Sequence, residues 1–180
     1  MKFKFKIQQY QTDAVENTVS VFTGQPSHRV AEYRRDLGKR SQQQIDFEGE
    51  TGFRNHHIEL DGRTLLKNIN AIQNLYDITP SATLSKGVGA VNLDIEMETG
   101  TGKTYVYIKT MFELNKQYGW SKFIIVVPSI AIREGVAKSF KMLEEHFMEY
   151  YGKKARWFIY NSSNLQQLDS FSSGSGLSAM

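Results

Sequence analysis

The residue types best suited to chemistry lie between positions 97 and 104, where the sequence is Met-Glu-Thr-Gly-Thr-Gly-Lys-Thr. Gly100 and Gly102 permit positive φ angles, so consecutive backbone N–H groups can face one bound anion. Lys103 can reach the β- and γ-phosphates of a nucleotide, and the hydroxyl of Thr104 suits Mg²⁺. The segment predicts a phosphate-binding loop with Lys103 as its catalytic residue, formed by Glu98, Thr99, Gly100, Thr101, Gly102, Lys103 and Thr104.

The flanking sequence predicts the elements that position this loop. Residues 91–97 alternate apolar and polar side chains, as a strand does, and apolar residues at helical spacing follow as far as Gly119. Further apolar runs at 123–127 and 157–160 predict two more strands, with a helix around 136–147 between them. This order predicts an α/β fold with a parallel sheet and flanking helices.

The first 22 residues contain a candidate base-binding side chain. Residues 2–7 alternate like a short strand, and residues 12–22 have the apolar spacing of a helix. Gln11 precedes this helix, and its carboxamide has the donor and acceptor that match the N6 and N7 edge of adenine. We interpret residues 1–22 as an adenine-reading segment, with a solvated helix start as the alternative for Gln11.

Two regions, residues 23–90 and 169–180, contain weaker indications of structure and function. Residues 23–90 are interpreted as an insertion between the first helix and the phosphate loop, with a helix that Thr64 caps and Pro80 ends. Residues 169–180 are rich in Ser and Gly, which is typical of a loop, and are interpreted as a truncated end. Residues 91–168 then form the segment that carries the phosphate loop.

A second anion site is predicted after the apolar run 123–127, where Ser129 and Arg133 begin the next helix. In open parallel sheets, ligands bind at the carboxyl ends of the strands. A serine hydroxyl, helix-start N–H groups and an arginine suit a nucleic-acid backbone phosphate. The alternative is an ordinary capped helix with an exposed Arg133.

The composition excludes several classes of protein. The 180 residues carry a formal net charge of +3 and no Cys, which excludes disulfides and thiolate metal sites. No apolar stretch is long enough to span a membrane, so we expect a cytoplasmic protein with no membrane partner. No Asp or Glu follows the apolar runs 123–127 and 157–160. We therefore expect nucleotide binding by this chain without useful hydrolysis.

Three segments together resemble the Res subunit of type III restriction enzymes: Tyr10-Gln11 with Ala14-Val15, METGTGKT at 97–104, and FIIVVPSIAIREGV at 123–136. The resemblance implies that residues 91–168 are the first part of the first RecA-like P-loop motor domain, incomplete in this chain, of a protein that uses ATP and Mg²⁺. It implies a translocase and endonuclease on double-stranded DNA, partnered by a modification methyltransferase subunit. By this resemblance Gln11 reads adenine, and Ser129, Ile130 and Arg133 contact the DNA backbone.

Two other functions are also compatible with the sequence. A small P-loop phosphotransferase would suit the chain length, and a nucleotide-dependent interaction module would bind without turnover. The resemblance favours the restriction translocase over both.

Overall fold

The computed structural model describes residues 5–28, 31–34, 51–85, 87, 89, 91–163 and 165–180. The helices are α1 Gln9–Ser20, α2 Gly62–Leu75, α3 Lys103–Tyr118, α4 Ile130–Tyr151 and α5 Leu165–Ser173. The strands are β1 Ala31–Arg34, β2 Thr51–Arg54, β3 Lys122–Phe123, β4 Arg156–Trp157 and β5 Ser178–Ala179. Among the described residues, no helix is both long enough and apolar enough to cross a bilayer.

The chain divides into two compact units. The loop unit comprises residues 1–27 and 57–118, and the sheet unit comprises residues 28–56 and 119–180. The predicted phosphate loop and Gln11 belong to the loop unit. The predicted DNA-contacting residues Ser129, Ile130 and Arg133 belong to the sheet unit.

The loop unit is built around the packing of α1 against α3. Val15 and Val19 of α1 are buried, as are Ile108 and Phe112 of α3. The hydroxyl of Tyr118 donates a hydrogen bond of 3.2 Å to the carbonyl of Val19, which fixes the far end of this helix pair. The predicted helices in these two regions are therefore confirmed, although α1 begins at Gln9 rather than Thr12.

Helix α2 packs in the same unit through both buried and polar contacts. Leu65 is only 2% exposed, and the Asn68 side-chain nitrogen donates to the carbonyls of Val21 (2.9 Å) and Thr23 (3.0 Å). The predicted cap was wrong. Asp61 caps the helix, because its carboxylate accepts from the backbone N–H of Thr64 at 2.8 Å. Hydrogen bonding from the Thr64 side chain, and then from its backbone N–H, lowers the pKa of Asp61.

The sheet unit contains a three-stranded parallel sheet in the order β3-β5-β4 and a two-stranded antiparallel sheet of β1 and β2. Ser178 of β5 aligns with Lys122 on one side and with Arg156 on the other. Phe140, Leu143 and Phe147 of α4 are buried. The α/β class with a small parallel sheet is therefore confirmed.

Two of the predicted strands differ from the observed structure. Residues 91–97 belong to neither sheet among the described residues, so the predicted strand before the phosphate loop was wrong. Alternating polarity does not make a strand unless a second backbone pairs with it. The run 123–127 forms a strand only at Phe123, and Val126 is 88% exposed. It is therefore not covered on both faces.

The Ser-rich end is structured, so its interpretation as a loop was wrong. Helix α5 extends to Ser173, and β5 is the central strand of the sheet. Leu177 is 4% exposed and Ala179 is 1% exposed. Small side chains fit a strand with a neighbour on each side, so low hydrophobicity here reflects close packing and not solvent exposure.

Two further predictions lie partly outside the described residues. Residues 5–7 of the predicted first strand form no strand, and residues 2–4 are not described. The described part of 23–90 is shared between the two units, and its interpretation as an insertion stays a prediction.

Candidate functional site

The predicted phosphate loop has the backbone geometry that its glycines suggested. Gly100 has φ +81° and Gly102 has φ +90°, both in the left-handed region that favours glycine. Between them, the Thr101 hydroxyl donates to the carbonyl of Glu98 at 2.6 Å and closes the turn. Helix α3 begins immediately afterwards at Lys103. The prediction of positive φ at both glycines is confirmed.

The ammonium of Lys103 lies over the loop that precedes it. It donates to the carbonyl oxygens of Met97 and Glu98, the latter at 3.0 Å, and the side chain is exposed. Backbone carbonyls carry only partial charge, so a phosphate oxygen is a stronger acceptor for this ammonium. The arrangement can therefore release Lys103 to an anion bound at the same loop.

The start of α3 supplies further donors. The first N–H groups of a helix have no intrahelical acceptor, and the helix dipole makes this end positive. Thr104 lies in this first turn and is half-buried. Tyr107 follows one turn later, and burial raises the pKa of its phenol.

Two side chains of α1 contact the phosphate loop at a single backbone atom. The Gln11 side-chain nitrogen donates to the carbonyl of Thr101 at 2.8 Å, and the Tyr10 hydroxyl donates to the same oxygen at 3.1 Å. The Gln11 nitrogen also lies so close to Gly102 that a Cβ atom there would be 2.5 Å from it. The predicted base-binding residue is therefore in direct contact with the predicted phosphate loop.

Sequence reasoning assigned no role to the Tyr10 hydroxyl, although Tyr10 was part of the motif. A tyrosine beside a glutamine gives no indication of which backbone atom it will reach ninety residues later. The contact is specific to the folded chain, because Tyr10 and Thr101 are 91 positions apart.

The structure brings together Ser129, Ile130 and Arg133 at the start of α4. The Ser129 hydroxyl accepts from the backbone N–H of Ile132 at 3.3 Å, which makes Ser129 the cap of the helix. Ile130 is 70% exposed. The guanidinium of Arg133 forms an ion pair of 3.1 Å with Glu134. These contacts are those of a capped helix, and they leave the DNA role of the three residues as a prediction.

Comparison with known proteins gives consistent matches. A family model described as "Type III restriction enzyme, res subunit" matches residues 4–170. The Res subunit of the type III restriction-modification enzyme EcoP15I from Escherichia coli is 38% identical over 110 residues, which cover 60% of this chain. The EcoPI Res subunit of Escherichia phage P1 is also 38% identical over 110 residues.

A third relative, the StyLTI Res subunit of Salmonella typhimurium, is 51% identical over 63 residues, or 33% of this chain. The aligned part is a small share of each relative. It covers 11% of the EcoP15I and EcoPI subunits and 6% of the StyLTI subunit.

Proposed function

Because this chain belongs to the family of type III restriction enzyme Res subunits, we propose that it is the ATP-binding part of an ATP-dependent DNA translocase and endonuclease. The family implies a P-loop NTPase fold. The observation that carries the proposal is the loop at 98–104, with two positive-φ glycines, an exposed lysine and a helix start. These features are typical of sites that bind phosphate at a helix N-terminus.

In the proposed complex, the triphosphate lies against the backbone N–H groups of residues 100–104. Lys103 exchanges the carbonyls of Met97 and Glu98 for phosphate oxygens, because charged acceptors bind an ammonium more strongly. Thr104 would hold Mg²⁺, which neutralises charge on the β- and γ-phosphates when bound. The residues present fit this group, since a hydroxyl follows the lysine at the helix start.

Gln11 would read the base. Its carboxamide has a donor and an acceptor, which adenine matches at N6 and N7 and guanine does not. Its contact with Thr101 supports this role, because a base bound at Gln11 would be linked to the loop that holds the phosphates. The hydrogen bond between Gln11 and Thr101 would then connect base recognition to phosphate binding.

Double-stranded DNA is the proposed polymer substrate, bound through its backbone by Ser129, Ile130 and Arg133. The hydroxyl hydrogen of Ser129 can donate while its oxygen caps α4. We also propose a modification methyltransferase subunit as the partner of the whole protein and a cytoplasmic location. The relatives carry the name of restriction-modification enzymes, which supports these proposals.

The expectation that the chain binds nucleotide without useful hydrolysis also stays a proposal. Phosphoryl transfer requires residues that orient water and neutralise developing charge, in addition to a phosphate loop. The phosphotransferase alternative is less well supported, because the Res family model matches residues 4–170.

Thermal unfolding tests the proposal without a mutation. A ligand that binds only the folded chain stabilises it by RT ln(1 + [L]/Kd). We expect Mg-ATP to raise the melting temperature in a concentration-dependent manner, and Mg-GTP to raise it less. Equal melting temperatures with and without saturating ATP would contradict nucleotide binding by this chain.

A further inference from the structure

A polar cleft of about 650 Å³ opens in the sheet unit beside the start of α4. Its walls come from α4, from the segment after β4 and from α5. The lining residues are Arg133, Ile159, Tyr160, Asn161, Ser162 and Gln167. Arg133 thus belongs both to the candidate DNA contact and to this cleft.

The lining chemistry favours an anion. Arg133 provides the positive charge, Asn161 and Gln167 provide carboxamides, and none of the six lining residues is a carboxylate. The Asn161 side-chain oxygen accepts from the backbone N–H of Ser163 at 3.0 Å. The side-chain NH₂ group of Asn161 takes no part in that bond and can donate to a ligand.

Arg133 can leave its present partner at low cost. Its ion pair with Glu134 joins two side chains that are 42% and 60% exposed. Exposed pairs of this kind contribute little to stability, because water and salt screen them. A phosphodiester can therefore compete for the guanidinium, with which it forms charge-assisted hydrogen bonds.

We propose that this cleft binds a backbone phosphate of duplex DNA through Arg133, Asn161 and Gln167. The inference rests on the proposed function, and it extends the DNA contact from the start of α4 to the loop after β4 and to α5. The contacts are to phosphate and sugar, so they position the duplex without reading its sequence.

Two neighbouring glutamines of α5 provide a matched test. Gln167 lines the cleft and Gln166 does not, and both are exposed. We expect Gln167→Ala to lower duplex affinity by about tenfold, as for loss of a hydrogen bond to a charged group. Gln166→Ala should leave the affinity unchanged. Fluorescence anisotropy with a labelled duplex measures both, and thermal unfolding verifies that each variant folds.

The salt dependence of binding separates the roles of the lining residues. A cation that contacts phosphate releases counterions, so Arg133→Ala should reduce the slope of log K against log[salt] by about 1. Gln167→Ala removes no charge and should leave the slope unchanged. Gln167→Glu should weaken binding more than Gln167→Ala, because a carboxylate repels phosphate.

The outcomes distinguish the cleft from the wider proposal. If Arg133→Ala reduces the slope while Gln166→Ala and Gln167→Ala bind equally, the cleft is not a phosphate site and the DNA contact at α4 stands. If the wild-type chain binds ATP but no duplex at low salt, both DNA assignments are wrong.

Discussion

The side-chain nitrogen of Gln11 lies 2.5 Å from the position that a Cβ atom would take on Gly102. The same nitrogen donates to the carbonyl of Thr101, so the start of α1 is in contact with two consecutive loop residues. Only a glycine at position 102 permits so close an approach while keeping φ at +90°. The start of α1 and the predicted phosphate loop are therefore joined by direct contacts.

The first prediction concerns Gly102→Ala. The added methyl group would meet the end of a flexible side chain, so we expect it to displace Gln11 from Thr101 without unfolding the chain. In the Gly102→Ala background, Gln11→Ala should then have little further effect on ATP affinity. Isothermal titration of the two single variants and the double variant measures this coupling.

Gly100→Ala is the matched control. Gly100 also has a positive φ, but a Cβ atom there would have no neighbour within 4 Å. The backbone strain of about 1–2 kcal/mol is common to both substitutions. In the Gly100→Ala background, Gln11→Ala should keep its full effect. Equal behaviour of the two backgrounds would mean that the Gln11–Gly102 contact has no role in nucleotide binding.

The second prediction concerns base preference. Gln11→Ala should weaken ATP by about three- to tenfold and GTP by less, because only the adenine edge matches the carboxamide. Gln9→Ala is the control on the same helix, since Gln9 is exposed and bonds Asp13. Competition between the two nucleotides measures the preference. Equal losses for ATP and GTP would make Gln11 a structural residue.

The third prediction separates Tyr10 from Gln11. Tyr10→Phe removes only the hydroxyl that donates to Thr101, so it alters the loop and no contact to the base. We expect ATP and GTP to weaken together, by about two- to tenfold for one neutral hydrogen bond. A selective loss of ATP would place Tyr10 against the base.

The fourth prediction concerns the support of the parallel sheet. The side-chain oxygen of Asn55 accepts from the N–H groups of Ser121 and Lys122, and its nitrogen donates to the Lys122 carbonyl. The Ser121 residue is 1% exposed, so Asn55→Ala leaves a buried donor without its partner. We expect the free energy of unfolding to fall by about 2 kcal/mol or more.

Urea denaturation measures this loss, with the exposed Asn92→Ala as a control. If Asn55→Ala were as stable as Asn92→Ala, the side-chain hydrogen bonds of Asn55 would contribute nothing to the sheet unit. A loss of unfolding free energy in Asn55→Ala but not in Asn92→Ala would support the role of Asn55 at the edge of β3.

Local sequence signals predicted the local parts of this structure. The two glycines of the loop predicted positive φ angles at positions 100 and 102, because few residues other than glycine adopt positive φ readily. Apolar spacing likewise predicted the helix pair whose buried residues include Val15 and Ile108. These signals depend on residues within one or two turns of each other.

Contacts between distant segments could not be predicted in this way. The hydrogen bond from Gln11 to Thr101 joins residues 90 positions apart, and that from Asn55 to Lys122 joins residues 67 positions apart. Strands of two residues, such as β5, are too short to show a period of two. Which segment pairs with which is decided by tertiary packing.

The central claim is that Lys103 binds the phosphates of ATP, and isothermal titration of Mg-ATP into the Lys103→Ala variant tests it most directly. Lys116 is an exposed lysine in the last turn of the same helix, so Lys116→Ala is the matched control. We predict that wild type and Lys116→Ala bind equally and that Lys103→Ala loses about a hundredfold in affinity. Circular dichroism should show the same helix content in all three. A folded Lys103→Ala variant that binds Mg-ATP as tightly as wild type would contradict the claim.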